Sequence, residues 1–428
     1  MIDRSAKVIQ FIGLFLVFWV ACCGFSNKAV NSQDQKKVRV HKDSNGEWLL
    51  LVNSQPYFIK GVGYSSSKVG QSPEDATLDD WMIADENNNG KIDAPQESWV
   101  DKNRNNVKDD DEQILGDFSL LKEMGANTIR IYHHASNEAS LMNLYDRNSI
   151  NQYGHPPNKQ LLRYLFEKYN IRVIMGDFLG AYTVGSWAKW QKGTDYTDKK
   201  QLQNMKNSVR QMILDFKDEP YILLWILGNE NNLQAYTRTN AGKYPKEYVK
   251  FVNEVAVMIH ELDPNHPVAV CNGDEGLLEY FAEFAPDIDV FGANAYRGPK
   301  GFNSLWEKVK KSYDKPLLIT EYGGGAAVKF KNAKVDEDIQ RAYHSGCWKD
   351  IYKNRAGGEG AGNSIGGVAF EWLDRWWTSG EPWFQAGPTE KRPSQEWIGI
   401  CGQGNGSHSP FLRQLREVFY FYKEAWAR

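Results

Sequence analysis

Short runs of apolar residues alternate along the chain with longer amphipathic stretches. The runs are Tyr57–Tyr64, Thr128–Tyr132, Val173–Phe178, Ile222–Gly228, Val268–Cys271, Val290–Ala295, Leu317–Tyr322 and Gly367–Trp372. Their nearly continuous apolar character predicts strands covered on both faces, as in a parallel sheet. Between and after them, helical spacing of apolar residues predicts helices over Gln113–Met124, Lys159–Tyr169, Lys199–Phe216, Lys246–Leu262, Gly276–Phe284, Asn303–Tyr313, Glu337–Asn354 and Pro410–Ala425. Strand followed by helix, eight times over, predicts an α/β fold of the (β/α)8 TIM barrel kind. An open doubly wound sheet competes, but no Gly-x-Gly-x-x-Gly follows the first strand, which counts against its dinucleotide-binding form. Upstream, Lys37–Val40 and Trp48–Val52 flank Asp43-Ser44-Asn45-Gly46, a hairpin signal. The expected organisation is a β-hairpin over 37–56 and a barrel over 57–428. A barrel needs about 250 residues. The surplus lies in loops 66–112, 179–198, 229–245 and 373–409, each after a strand and so on the C-terminal face, where barrel enzymes build their sites.

The first 36 residues have a different pattern. Arg4 and Lys7 precede an apolar run from Val8 to Ala21, too short to span a bilayer comfortably and suited to a signal-peptide core over 1–22. Ala21-Cys22-Cys23 resembles the lipobox of bacterial lipoproteins, with Trp19 at the −3 position of Cys22 and Val20 at that of Cys23. Residues 23–36 are polar and read as a tether. Lipidation, simple cleavage and an uncleaved anchor are all open, with lipidation favoured. The expectation is an exported protein held at a bacterial envelope, or otherwise periplasmic or secreted.

Composition narrows the function. The 428 residues carry 51 Lys+Arg against 54 Asp+Glu, a net charge of −3, which argues against a nucleic-acid partner. Apolar and charged contents of 41% and 25% exclude a largely disordered chain. Cys271, Cys347 and Cys401 make no zinc pattern; one disulfide among them and free thiols are equally open. The 15 Trp, 21 Tyr and 20 Phe are suited to stacking on sugar rings or to core packing.

Two strand ends carry the chemistry. The fourth run leads into Asn229-Glu230 and the seventh contains Thr320-Glu321-Tyr322. A carboxylate there is costly unless it faces a polar cleft. Two of them, from distant strands of one barrel, make the acid/base and nucleophile pair of a retaining glycosidase.

These residues resemble glycoside hydrolase clan A, retaining enzymes on (β/α)8 barrels. That resemblance implies Glu230 as acid/base, Glu321 as nucleophile and Asn229 on the sugar 2-hydroxyl. Asn127-Thr128-Ile129-Arg130-Ile131-Tyr132 resembles the second-strand motif, implying that Arg130 supports the nucleophile. The segment Asp289–Tyr296 resembles strand six, whose Tyr, here Tyr296, hydrogen-bonds the nucleophile. Phe370-Glu371-Trp372 resembles strand eight, implying Trp372 as a floor for the reacting sugar. With the entry strand Pro56–Val62, the set is similar to the barrel domain of the β-galactosidase/β-glucuronidase/β-mannosidase family and to the β-1,3-glucanosyltransferases. There are departures. Too few residues precede the barrel for a β-sandwich, Asn231 stands where many members have Pro, and Gly323-Gly324-Gly325 follows the nucleophile in place of a Cys-rich pattern.

The loops add candidate subsites and a metal. Trp187, Trp190 and Trp377, with Trp376 and Trp383, form a candidate sugar-binding rim; Tyr182, Asp177 and Asn272 are further candidates for hydroxyl contacts. Asp101, Asn103, Asn105, Asp109 and Glu112, with the carbonyl of Val107, match a twelve-residue EF-hand loop in which Asn106 replaces the usual Gly. Asp85, Asn87, Asn89 and Asp93 repeat the pattern with Gly90 at the turn, but Gln96 at the closing position and Glu97 one later. Hard oxygen donors point to structural Ca²⁺ at 85–112, not zinc, and no organic cofactor is expected.

The leading reading is a retaining β-glycoside hydrolase or transglycosylase acting on a β-linked glucan or related poly- or oligosaccharide. Its rival is a non-catalytic, calcium-ordered carbohydrate-binding surface lipoprotein. A metal-dependent hydrolase would use His133-His134, the one strand-end His pair, read instead as a sugar contact and its structural partner.

Overall fold

A computed structural model describes residues 37–427, less 74, 76, 135–157, 329–333, 379 and 388–392. The signal, lipobox and tether expectations, with Cys22 and Cys23, lie outside the described residues. Eight parallel strands close into a barrel: β1 Ile59–Gly63, β2 Thr128–Ile131, β3 Arg172–Asp177, β4 Ile222–Leu227, β5 Val268–Gly273, β6 Val290–Asn294, β7 Leu317–Tyr322 and β8 Ser364–Ala369. Each pairs with its sequence neighbours, and β8 closes on β1 through Gly367–Lys60 and Val368–Gly61. The flanking helices are α1 Asp117–Met124, α2 Lys159–Tyr169, α3 Lys199–Phe216, α4 Pro245–Leu262, α5 Leu278–Phe284, α6 Leu305–Ser312, α7 Glu337–Lys353 and α8 Glu417–Trp426.

Residues of one strand alternate between two cores. Ile129, Ile131, Val173, Met175, Trp225, Val270 and Ile319 point outward to the helices, while Ile174, Leu224, Ile226, Ala269 and Leu318 fill the barrel. The hairpin, Val38–Lys42 with Trp48–Val52, covers the end opposite the strand C-termini. Its Val38, Leu50 and Val52 join the interior core, and its backbone is pinned by Val38 N–H to Asn265 and Trp48 N–H to Gly362. Polar access is therefore left at the other end, where the long loops are.

Three elements differ from the sequence expectation by three residues or more at one end. Strand β8 is Ser364–Ala369, not Gly367–Trp372, because Gly366 and Gly367 pair with Ile59 and Lys60 deep in the barrel. Residues 370–372 then leave the sheet through a cis peptide between Phe370 and Glu371. The final helix starts at Glu417, not Pro410, since Leu412–Leu415 forms a strand between Trp99–Val100 and Cys401–Gly402. Helix α1 starts at Asp117, after Gly116 at φ 78°, because Ile114 bridges back to Trp99. Cys271, Cys347 and Cys401 are all free and buried, which resolves the disulfide alternative. No helix among the described residues is long and apolar enough to cross a membrane.

If the hairpin is an integral plug, removing one of its core side chains destabilises the whole barrel. Leu50→Ala should lower the unfolding free energy by about 2–5 kcal/mol in urea denaturation, as for other fully buried leucines; a change below about 0.5 kcal/mol would mean that the hairpin is an appendage.

Candidate active site

The two carboxylates reach the barrel mouth by different local devices. Strand β4 ends at Leu227, and Gly228 turns at φ 78° with no room for a Cβ, which would lie 2.5 Å from Asn231 Oδ1. Glu230 follows in the left-handed region at φ 57°, its N–H bonded to the carbonyl of Cys271. Asn231, in place of the expected Pro, braces this turn. Its Oδ1 accepts the Asn229 N–H at 2.7 Å, and its Nδ2 donates to the carbonyls of Phe178 and Leu179 and to Tyr196 Oη. Glu321 instead lies within β7. Register slips by one residue where Ala293 pairs with Ile319 and Asn294 with Glu321. Such a bulge re-aims side chains, and both Thr320 and Glu321 reach the interior network.

A fully buried guanidinium organises that network. Arg130 Nη1 donates to Glu321 Oε1 at 3.2 Å, to the Thr320 carbonyl at 2.8 Å and to Asn294 Oδ1 at 3.3 Å. Its Nη2 donates to Asn229 Oδ1 at 2.9 Å and Cys271 Sγ at 3.2 Å. Tyr296 Oη donates to Glu321 Oε2 at 2.7 Å. Tyr296 is 45% exposed overall, but burial around its hydroxyl and the Glu321 charge push the phenol well above its usual pKa, so it stays a donor. Both Glu321 oxygens are thus held, which aims the carboxylate.

Glu230 is in a contrasting environment. Burial, then the charge on Glu321, push its carboxyl up to about 7, against a hydrogen bond with Asn294 and the attraction of Arg130. Glu321 is gripped by two donors beside a buried cation while Glu230 is pushed towards neutrality, an unlike treatment that matches the needs of a nucleophile and an acid.

Around the pair, the placement of the expected residues varies. Asn229 and Arg130 lie in the network described above. Trp372 does not floor the pocket: it is fully buried and packs outward on Phe419 of α8 at 6.5 Å. The aromatic residue that faces the site is Phe370, whose ring meets the edges of Tyr132 at 6.2 Å and Tyr296 at 6.4 Å. Trp187 is 45% exposed and Trp383 64%, as a rim requires, whereas Trp376 is a buried anchor. Trp190 lies under Arg238, and Trp377 under Arg375. Tyr182 Oη is 3.4 Å from Asn229 Nδ2, within reach of the Glu230 charge. Asp177 is fully buried on His134 at 3.1 Å and Ser208 at 2.6 Å, and Asn272 Nδ2 donates to main-chain carbonyls of its own turn while its Oδ1 has no partner among the described residues. His133 and His134 do lie near Asp177, within 4.8 Å by ligand atoms, but His133 Nδ1 accepts the Phe178 N–H and His134 Nε2 is on the carboxylate.

Sequence reading passed over Asn294, Tyr132, Glu371 and Arg375. The available signal was polar residues at the last inward position of a strand, or just after it. Glu371 is buried after β8, where it accepts from Ser65 Oγ at 2.8 Å and pairs with Arg375.

The acidic loops lie within the long loop after β1. Asp101 and Glu112 are 2% and 1% exposed, and neither has an ion pair among the described residues. Asp101 accepts the N–H groups of Asn105 and Asn106, Asn103 that of Asn105, Asn105 that of Val107, and Glu112 those of Lys102 and Asp109. Asn106 takes the left-handed turn at φ 61°. In the upstream loop Glu97, not Gln96, closes on Asn87 and Asn89, at 3.0 and 2.7 Å. Gln96 instead accepts the Ile92 N–H. Asp93 is pushed up to about 6 by burial and by Glu86, Glu97 and Asp85.

Together these features define a (β/α)8 protein with a paired-carboxylate pocket on its C-terminal face. A family profile described as glycosyl hydrolases family 2, TIM barrel domain, matches residues 102–340. The chain belongs to this family. It is 26% identical over 330 residues to a beta-glucuronidase of Bacteroides fragilis, covering 72% of this chain and 38% of that protein. The beta-D-glucuronidase of Dictyoglomus thermophilum superposes with a TM-score of 0.56 at 17% identity, over 91% of this chain and 54% of the other. A calcium binding mutant of Bacteroides uniformis beta-glucuronidase 2 superposes at 0.54 and 17%, over 91% and 36%. The chain thus spans 38% of that curated relative's length.

The raised Glu230 carboxyl has a consequence for stability. Its folded pKa of about 7 exceeds an unfolded value of 4.5, so ionisation costs the fold nothing below pH 4.5 and its full penalty above 7. Glu230→Gln should therefore stabilise the protein at pH 8 and not at pH 4, by up to about 3 kcal/mol in urea titrations. Equal effects at both pH values would contradict the raised pKa.

Proposed function

We propose that the protein is a retaining β-glycoside hydrolase, with transglycosylation as a variant outcome of the same chemistry. The observation that carries this is the unlike treatment of two carboxyls in one pocket. Glu321 is fixed by Arg130 and Tyr296, and Glu230 is pushed up to about 7. In this reading Glu230 protonates the leaving oxygen while Glu321 attacks the anomeric carbon. Glu230 then takes a proton from water, or from an acceptor sugar, to release the glycosyl group. Asn229 is offered to the sugar's 2-hydroxyl, and Phe370 takes the place of the expected indole beneath the reacting ring.

For the substrate we favour a β-linked glucan or related polysaccharide. The exposed Trp187 and Trp383 suit stacking on more than one sugar. A β-glucuronide is the second reading, since the relatives named above are beta-glucuronidases. We also propose export with an N-terminal lipid anchor, from the pattern of residues 1–36.

The wild type should hydrolyse an activated aryl β-glycoside, with a rate that falls above pH about 7. Glu321→Ala should lose roughly 10⁴-fold or more in kcat. Glu230→Ala should keep turnover on a good leaving group when azide is added. If the wild type binds glycans but cleaves none, the carbohydrate-binding reading replaces this one.

We further propose Ca²⁺ in the 101–112 loop, held by Asp101, Asn103, Asn105, Asp109, Glu112 and the Val107 carbonyl. Two buried carboxylates without a cationic partner fit a divalent ion, which neutralises them. A calcium binding mutant is known of one protein with this fold. The 85–97 loop offers a second set, closed by Glu97. The ion would order the long loop after β1 and take no part in bond cleavage. Chelation should lower the melting temperature by several degrees, restored by Ca²⁺ and not by Mg²⁺; Glu112→Gln should abolish that shift. No change on chelation would rule the ion out.

A further inference from the structure

The barrel mouth holds a second charged pair that the double displacement does not use. Glu371 Oε2 accepts from Ser65 Oγ at 2.8 Å and from Arg375 Nη2 at 3.0 Å, and Glu371 Oε1 pairs with Arg375 Nε. The Glu371 side chain is 1% exposed and that of Arg375 21%, so the cation has the open side. The guanidinium lies 4.7 Å from the Phe370 ring centre. Phe370 meets Tyr296, and Tyr296 donates to Glu321. One aromatic ring therefore separates Arg375 from the aromatic that holds the nucleophile. The charges of Arg375 and Glu371 both act on Glu321 and Tyr132.

A buried ion pair adds little net stability, because desolvation offsets the attraction. Its value here is in what it does to a ligand. A lone guanidinium on a sugar pocket would bind the carboxylate of a uronic acid through two N–H groups. In this chain the fork already faces a carboxylate. An incoming uronate would compete with Glu371 for Arg375 and be repelled by it, whereas a neutral sugar meets a fixed donor with no net charge behind it.

We propose that the Glu371–Arg375 pair is a specificity determinant that selects neutral β-glycosides over β-uronides, with Glu371 as the excluding charge. The proposal rests on the glycosidase reading only for the pocket it places the sugar in. Binding is measured separately from turnover, so the two fail differently.

The test is calorimetric binding of non-hydrolysable phenyl 1-thio-β-glycosides to the intact protein. The probes are the neutral and uronate members of the gluco and galacto pairs. Turnover of the matching 4-nitrophenyl glycosides is followed in parallel. The wild type should bind a neutral member at least about tenfold more tightly than its uronate partner, the scale on which like-charge juxtaposition discriminates. Glu371→Gln should shrink that ratio by about tenfold, by strengthening uronate binding; a purely structural role would weaken both members together. Ser65→Ala, a milder change, should move the ratio the same way by about threefold and serves if Glu371→Gln does not fold. Tighter uronate binding by the wild type, no binding of either member, or a ratio unchanged in the variants would overturn the proposal. Binding with the expected preference but no turnover of any glycoside would sink the glycosidase reading and leave the selectivity standing.

Discussion

The site depends on one buried cation. Arg130 stands fully buried in the barrel, where an unpaired charge would cost several kcal/mol. It is tolerated because four strands or strand ends supply acceptors: Asn229 after β4, Cys271 of β5, Asn294 of β6, and Thr320 with Glu321 of β7. The same bonds that its two terminal nitrogens make fix the spacing of these strand ends. Position, charge state and barrel closure are therefore coupled through one side chain. The asymmetry between the carboxyls follows from it. Glu321 touches the cation directly, while Glu230 feels it at a distance that burial and the Glu321 charge outweigh.

Much of this was legible in the sequence, for physical reasons. Parallel strands covered on both faces have to be apolar, so the eight runs stand out, and a charge at the end of such a run needs a polar cleft. That logic singled out Glu230 and Glu321, which the fold brings close enough for their charges to interact, and helical spacing predicted α2 and α3 to the residue. It failed where tertiary pairing decides. Gly366 looks like a poor strand residue, yet it pairs with Ile59 in the barrel, so the eighth strand starts three residues earlier than the apolar run and Trp372 falls beyond it. Once the strand ends at Ala369, the turn at Phe370 and Glu371 brings Phe370 to the site and sends the indole outward. Pro410–Ala425 has helical spacing throughout, but Leu412–Leu415 gains sheet partners that a local pattern cannot reveal.

The acidic loops show the same division. The twelve-residue pattern predicted the turn at Asn106 and the inward Glu112, both local properties. Whether Gln96 or Glu97 closes the upstream loop depends on where the short helix Asp93–Glu97 points, which spacing alone does not fix. Departures from the family pattern also have local causes. Asn231 replaces Pro because its amide bonds both to its own turn and to the loop after β3.

The central claim is that Glu321 forms a bond to the sugar. A 2-deoxy-2-fluoro β-glycoside with a good leaving group slows the release of such an intermediate enough to isolate it. The account predicts one fluoroglycosyl unit per chain by mass spectrometry, mapped to the peptide containing Glu321 and absent in Glu321→Gln. A label on another residue, or rapid turnover with inverted anomeric configuration and no label, would contradict it.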